Sequence, residues 1–90
     1  MTVIDVNEEC HGNVCIAATL LDAIDYLLAD GWIDDTTEVW DSSSQKLVTI
    51  KELFGNDWEN IIRSLPLDVF NDVFENSFYL TRLKVYERKR

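Results

Sequence analysis

Apolar positions along this chain follow two periods, and the places where the period changes mark its elements. Thr2-Val3-Ile4-Asp5-Val6 is rich in β-branched residues and stops at Asn7-Glu8-Glu9, which reads as a short first strand. Gly12-Asn13 then offers an N-cap for a helix starting at Val14. In that helix Ile16, Leu20, Ala23, Ile24, Leu27 and Leu28, with Ala17 and Leu21, keep the three-four-seven spacing. Gly31 supplies the left-handed stop. Thr19, Asp22 and Asp25 form the polar stripe of a helix that is apolar around more than half its girth, so it is expected to be the spine of the core.

After Trp32 the period drops towards two. Thr36–Trp40 and Lys46–Ile50 are strand-like runs joined by the turn-forming residues Asp41-Ser42-Ser43-Ser44-Gln45, which predicts a β-hairpin with a loop of five. Thr49-Ile50-Lys51-Glu52 has the capping-box pattern and opens a short helical turn ended by Gly55. A second helical segment from Asn56 carries Trp58, Ile61, Ile62 and Leu65 on its apolar face and breaks at Pro66. A third buries Leu67, Phe70, Val73 and Phe74. From Ser77 to Glu87 the chain alternates, with Tyr79, Thr81, Leu83 and Val85 on one face and Phe78, Leu80, Arg82, Lys84 and Tyr86 on the other.

The order β-α-β-β-(αα)-β predicts a single α+β domain over residues 1–90, with a small antiparallel sheet of about four strands packed against helices. It is the element order of the ferredoxin-like split βαβ arrangement, in which the last strand lies beside the first. The alternative is a three-stranded meander on the first helix with strand one detached.

Charge changes this picture more than composition does. The formal net charge is −9, from 17 acids and 8 Lys and Arg. Residues 1–45 hold ten of the acids and no Lys or Arg, while the second half is near neutral and ends Glu87-Arg88-Lys89-Arg90. Such acidity argues against direct nucleic-acid binding, which depends on Lys and Arg neutralising phosphates. A hydrophobic content of 47% with three Trp argues against a disordered acidic tail. No signal-peptide pattern, membrane-length apolar run or lipidation motif is present, so a cytoplasmic location is expected, without a membrane partner.

Little in the sequence points to catalysis. There is no phosphate-binding glycine loop and no paired-histidine metal motif. Asp30–Asp41 has the length of a calcium loop but places Trp32 at its third position, Asp35 where glycine belongs and Asp41 where a bidentate Glu is usual. Cys10, His11 and Cys15 admit three readings: an incomplete metal site helped by Glu8 or Glu9, a catalytic thiol beside an imidazole, or a buried small hydrophobe and a loop thiol. The last asks least of the sequence. The expectation is a non-enzyme without cofactor or bound metal.

The acids fall on the expected loop at Glu8-Glu9, the helix stripe Asp22-Asp25, and a cluster of Asp30, Asp34, Asp35, Glu38 and Asp41 flanked by Trp32 and Trp40. At a rise of about 1.5 Å per residue, Asp22 and Asp25 lie roughly 4–5 Å apart along the axis, comparable to phosphate spacing on one DNA strand. These nine residues, Asp22, Asp25, Asp30, Trp32, Asp34, Asp35, Glu38, Trp40 and Asp41, form the candidate partner-binding surface for a protein with a basic, nucleic-acid-binding face. Two other readings stand beside it. Arg82, Lys84 and the basic tail could offset Asp5, Glu8 and Glu9 internally, or the chain could be an interaction subunit working through aromatic surfaces, including as a homodimer. In general character the chain resembles small acidic inhibitors of phages and mobile elements, among them DNA mimics and anti-defence proteins, and small acidic immunity proteins. That resemblance is compositional and implies a protein-binding role; no motif carries it, so it assigns no residue.

Overall fold

The computed structural model describes residues 2–75 and 77–84. Its first strand, β1 (Thr2–Glu8), runs into a turn at Glu9–His11 and returns as β2 (Gly12–Ala17). Glu8 builds that turn, its Oε2 accepting the backbone N–H groups of Cys10 (3.0 Å) and His11 (2.8 Å). Gly12 closes it at φ 76°, a conformation open to glycine at little cost.

The first helix therefore starts later than its apolar spacing predicts. Val14, Cys15 and Ile16 are extended, and α1 (Leu20–Ala29) begins after Thr19, whose hydroxyl accepts the Asp22 N–H at 3.1 Å. The helical period ran back through Ile16 because β2's apolar residues happen to stay in phase with it; pairing with β1 overrides that local preference. At the other end Gly31 does stop the helix. Its N–H reaches the Leu28 carbonyl at 3.3 Å, and the Trp32 N–H reaches Leu27 at 2.9 Å, the paired bonds of a Schellman motif.

Next come β3 (Glu38–Asp41) and β4 (Lys46–Thr49), an antiparallel hairpin whose connection is four residues, Ser42–Gln45, instead of five. Ile50 leaves the strand to open α2 (Ile50–Phe54), with the expected capping box between Thr49 and Glu52. Then follow α3 (Trp58–Arg63), α4 (Leu67–Val73) and β5 (Phe78–Lys84). Val85, Tyr86 and Glu87, which the alternation adds to the last strand, and the basic residues Arg88 to Arg90 lie outside the described residues.

The class is α+β with a small antiparallel sheet packed against helices. β1 pairs with both β2 and β5, giving a three-stranded sheet of order β2-β1-β5, so the last strand lies beside the first and strand one is central, not detached. The hairpin forms a two-stranded sheet of its own, so the four strands expected from the sequence do not join in one ferredoxin-like sheet, and β2 is a fifth. A lone hairpin is marginal in water. This one is held by Val39 of β3 and, directly after β4, by Ile50 at the start of α2, both fully buried in the core shared by Ile4, Val6, Ala23, Ile24, Leu27, Ile33, Ile62, Phe70, Phe74, Phe78 and Leu80. At about 1.5–3 kcal/mol for each buried aliphatic side chain, that anchorage outweighs anything the turn supplies.

The helices cover only the face of the sheet that carries Ile4, Val6, Phe78 and Leu80. On the opposite face Ile16, Tyr79 and Leu83 stay exposed. The alternation thus assigned both faces of β5 correctly over the described residues, and Phe78 and Leu80 pack inward.

Candidate functional site

The Cys10-His11 pair sits at the tip of the β1–β2 hairpin. His11 Nδ1 lies 2.5 Å from Glu8 Oε2, and this contact, ahead of the backbone bonds from His11 and Cys10, holds the Glu8 carboxyl below its usual range. Cys10 is exposed and Cys15 half-buried; burial first, then the charges of Asp5 and Asp30, push the Cys15 thiol up, away from a nucleophilic thiolate. The His11 ring is directed at Glu8 and, edge-on, at Trp32 with centroids 5.4 Å apart. Among the described residues no group of three or more His, Cys, Asp or Glu side chains converges as a metal site.

α1 divides the acids that the sequence reads as one stripe. Asp22, Tyr26 and Asp30, spaced four apart, share one face of α1, and on it Tyr26 and Asp30 lie near Cys15 of β2. Asp30 accepts the Trp32 indole N–H at 2.9 Å, and the Schellman turn that ends the helix fixes Trp32 there. The Asp30 charge, then burial and Cys15, push the Tyr26 hydroxyl up, placing all three groups in one neighbourhood. Asp25 points the other way. Its Oδ1 accepts Arg63 Nε at 2.7 Å, so the Asp22–Asp25 row is not presented as a unit. Arg63 also approaches Glu59 at 3.7 Å. Nothing local announces this partner, which is 38 residues away in the chain.

On that second flank Asp34 and Asp35 line an open groove of about 400 Å³ with Leu28, Ile33, Trp58 and Glu59. Trp58 and Glu59 are walls that the sequence reading did not assign to the site. Trp58 lies on the apolar face of its helix, and only the packing of α3 beside α1 leaves it half-buried at a surface groove. Three carboxylates around an indole form a receptacle suited to a Lys or Arg side chain.

Two of the acids are also structural. Asp34 Oδ1 accepts the Thr36 hydroxyl (2.6 Å) and N–H (2.9 Å), while the Thr37 hydroxyl accepts the Asp34 N–H (2.9 Å). Asp41 accepts the Ser44 hydroxyl (2.7 Å) and Ser43 N–H (3.0 Å) across the hairpin turn. These bonds, the Thr36 and Ser44 hydroxyls foremost, hold both carboxyls below the usual range. A group whose folded pKa is lowered contributes stability above its unfolded pKa, lost as pH falls through the folded one. Urea unfolding midpoints are therefore expected to fall as pH drops from about 5 to 3, and to fall less in an Asp34→Asn, Asp41→Asn variant. An identical acid limb in the variant would show that these turns do not couple to folding.

Glu38 is exposed on β3 opposite Thr49, with no side-chain bond among the described residues. The two Trp residues do not flank one cluster. Trp32 packs on His11 and Phe78, whereas Trp40 lies beside Val69, Asp72 and Val73 of α4.

Strand register decides whether the bases of the second half offset the acids of the first. Antiparallel pairing puts Arg82 opposite Ile4 and Lys84 opposite Thr2, while Glu8 lies opposite Phe78 at the far end. Among the described residues, Asp25 is the one acid of the first half that meets an Arg or Lys within ion-pair distance. Of the acids in this half, Glu9, Asp22, Asp30, Asp34, Asp35 and Glu38 are exposed, while Asp5, Glu8, Asp25 and Asp41 are half-buried. No family model, curated protein or solved structure matches the chain. Among the described residues no helix is long and apolar enough to cross a membrane.

Proposed function

We propose that this chain is a non-catalytic, acidic protein-binding inhibitor that occupies the basic, nucleic-acid-binding surface of a partner protein, in the manner of DNA mimics and anti-defence proteins. One observation carries the reading: of the ten acids in residues 1–45, which hold no Lys or Arg, Asp25 alone meets an Arg or Lys within ion-pair distance among the described residues, and Glu8 meets His11. A surface of one sign speeds encounter with a surface of the other and weakens as salt screens it. The acidic groove around Trp58 and the Asp22–Asp30 flank supply two places where basic side chains can dock against an aromatic neighbour.

The exposed apolar residues Ile16, Tyr79 and Leu83 on the uncovered sheet face favour a second reading, an interaction subunit or immunity-type protein held by apolar contact. Salt separates the two. Proteins captured from host lysate by the immobilised chain at about 50 mM salt should be released at about 200 mM, and the chain should displace nucleic acid from them in a competition assay. Capture that persists at high salt and leaves nucleic-acid binding untouched would support the apolar reading and end the acidic one.

A further inference from the structure

The three-stranded sheet has two edges, and they are treated differently. Along β5 the edge is occupied from Phe78 to Leu80, where the Asn71 side-chain amide donates to the Leu80 carbonyl and accepts the Leu80 N–H, both at 2.9 Å, and the Phe78 N–H reaches the Phe74 carbonyl at 2.9 Å; beyond it the edge carries the charges of Arg82 and Lys84. A side chain from α4 thus does the work of a neighbouring strand.

β2 has no such cover. Ladder bonds alternate along an antiparallel pair. Since Leu80 turns its N–H and C=O away from β1, its opposite number Val6 turns its own towards β2, where it faces Cys15. Cys15 and Ala17 are then the bonded positions, and Ile16 between them presents its N–H and C=O to the outside. Among the described residues no backbone bond reaches them. Gly12–Ala17 contains no Pro, Lys or other charge, the devices that usually blunt an open edge. A bulge opposite Val6 and Asn7 interrupts the first part of the strand and confines the usable edge to the stretch around Val14–Ala17.

The flanks of this edge define what fits it. On one side stands the Asp22–Tyr26–Asp30 face of α1; on the other, Ile16 (62% exposed) continues the open sheet face towards Tyr79. A second copy of this chain would bring the same acids to the same place. Charge complementarity selects a basic occupant instead.

We infer that the outer edge of β2 accepts an extended segment of a basic partner protein as an added strand, with alternate Lys or Arg side chains along Asp22, Tyr26 and Asp30 and the intervening apolar side chains extending the sheet face at Ile16. This rests on the proposed function in taking the partner to be basic.

The test uses the full chain and a short synthetic peptide of alternating Lys and Val, with a control of the same composition whose Lys residues are gathered at one end. The alternating peptide should bind, shift the Ile16 amide resonance and slow its hydrogen exchange. Ile16→Pro, which removes an N–H that lies outside the ladder and so is tolerated at an edge, should weaken binding roughly tenfold or more. Ile16→Lys, which keeps the N–H but sets a charge among the segment's apolar side chains on the open sheet face, should do the same and guards against a folding defect in the first variant. Failure of the alternating peptide to bind, or unchanged affinity in both folded variants, would overturn the inference. So would a chain that is already a dimer with the Ile16 amide protected. Equal binding of both peptides with shifts at Asp34 and Asp35 would remove strand addition and keep the acidic-surface function. Binding at Ile16 that is indifferent to salt would keep strand addition and remove that function.

Discussion

Reversing Asp22, Asp35 and Glu38 to Lys together is expected to lower association with the captured partner by roughly a hundredfold or more at about 50 mM salt. Each reversal adds two charges, taking the chain from −9 to −3. The loss should shrink at higher salt, since the screening length is about 10 Å at 0.1 M. These three positions are chosen because none accepts a side-chain hydrogen bond or ion pair among the described residues, whereas Asp34 and Asp41 hold turns and Asp30 holds Trp32. The structural cost should be confined to Asp22, which sits in the first turn of α1, where a Lys loses about 0.3–1 kcal/mol against the helix dipole. Partner binding that survives the triple reversal in a folded variant would refute the acidic surface as the site.

Phe70→Ala should destabilise the fold by about 3–5 kcal/mol in urea unfolding. Phe70 is fully buried and stacked on Phe74, with centroids 4.4 Å apart and planes at 26°. Phe74 meets Phe78 edge-on at 6.1 Å, Phe78 meets Trp32 at 6.3 Å, and Trp32 meets His11. This run of rings connects the centre of α4 to the tip of the β1–β2 hairpin, so the cavity left at Phe70 should also loosen the seat of Trp32 beside Asp30. For a small domain of about 5–15 kcal/mol total stability the loss is a large fraction. A change below about 1 kcal/mol would mean that the core closes over the gap, and that Trp32 does not depend on it.

Most elements were legible in local chemistry, because caps and stops act over a few residues. Gly31 ends α1, the Thr49–Glu52 box opens α2, and alternation sorts the faces of β5. β2 was not legible. Its Val14-Cys15-Ile16 run fits a helix start as well as a strand, and the deciding factor is a partner strand together with a turn built by the Glu8 side chain. The site was legible as residues but not as an arrangement. Asp22 and Asp25 are three apart on one helix, yet one shares a face with Tyr26 and Asp30 and the other is claimed by Arg63. Trp58 looked like core and lines a groove.

The sequence by itself determined the type of every element but β2, most of their ends and the confinement of unopposed acidity to residues 1–45, since propensity, capping and charge are properties of neighbours along the chain. Only the tertiary structure decided which acids face outward. Register places Arg82 and Lys84 at the end of β1 away from Glu8, and helix packing pairs Asp25 with Arg63. It likewise left one sheet edge plugged at Leu80 by Asn71 and the other, at Ile16, open among the described residues. Coulomb energy and strand pairing depend on distance in space, and residues remote in sequence set those distances only when the chain has folded.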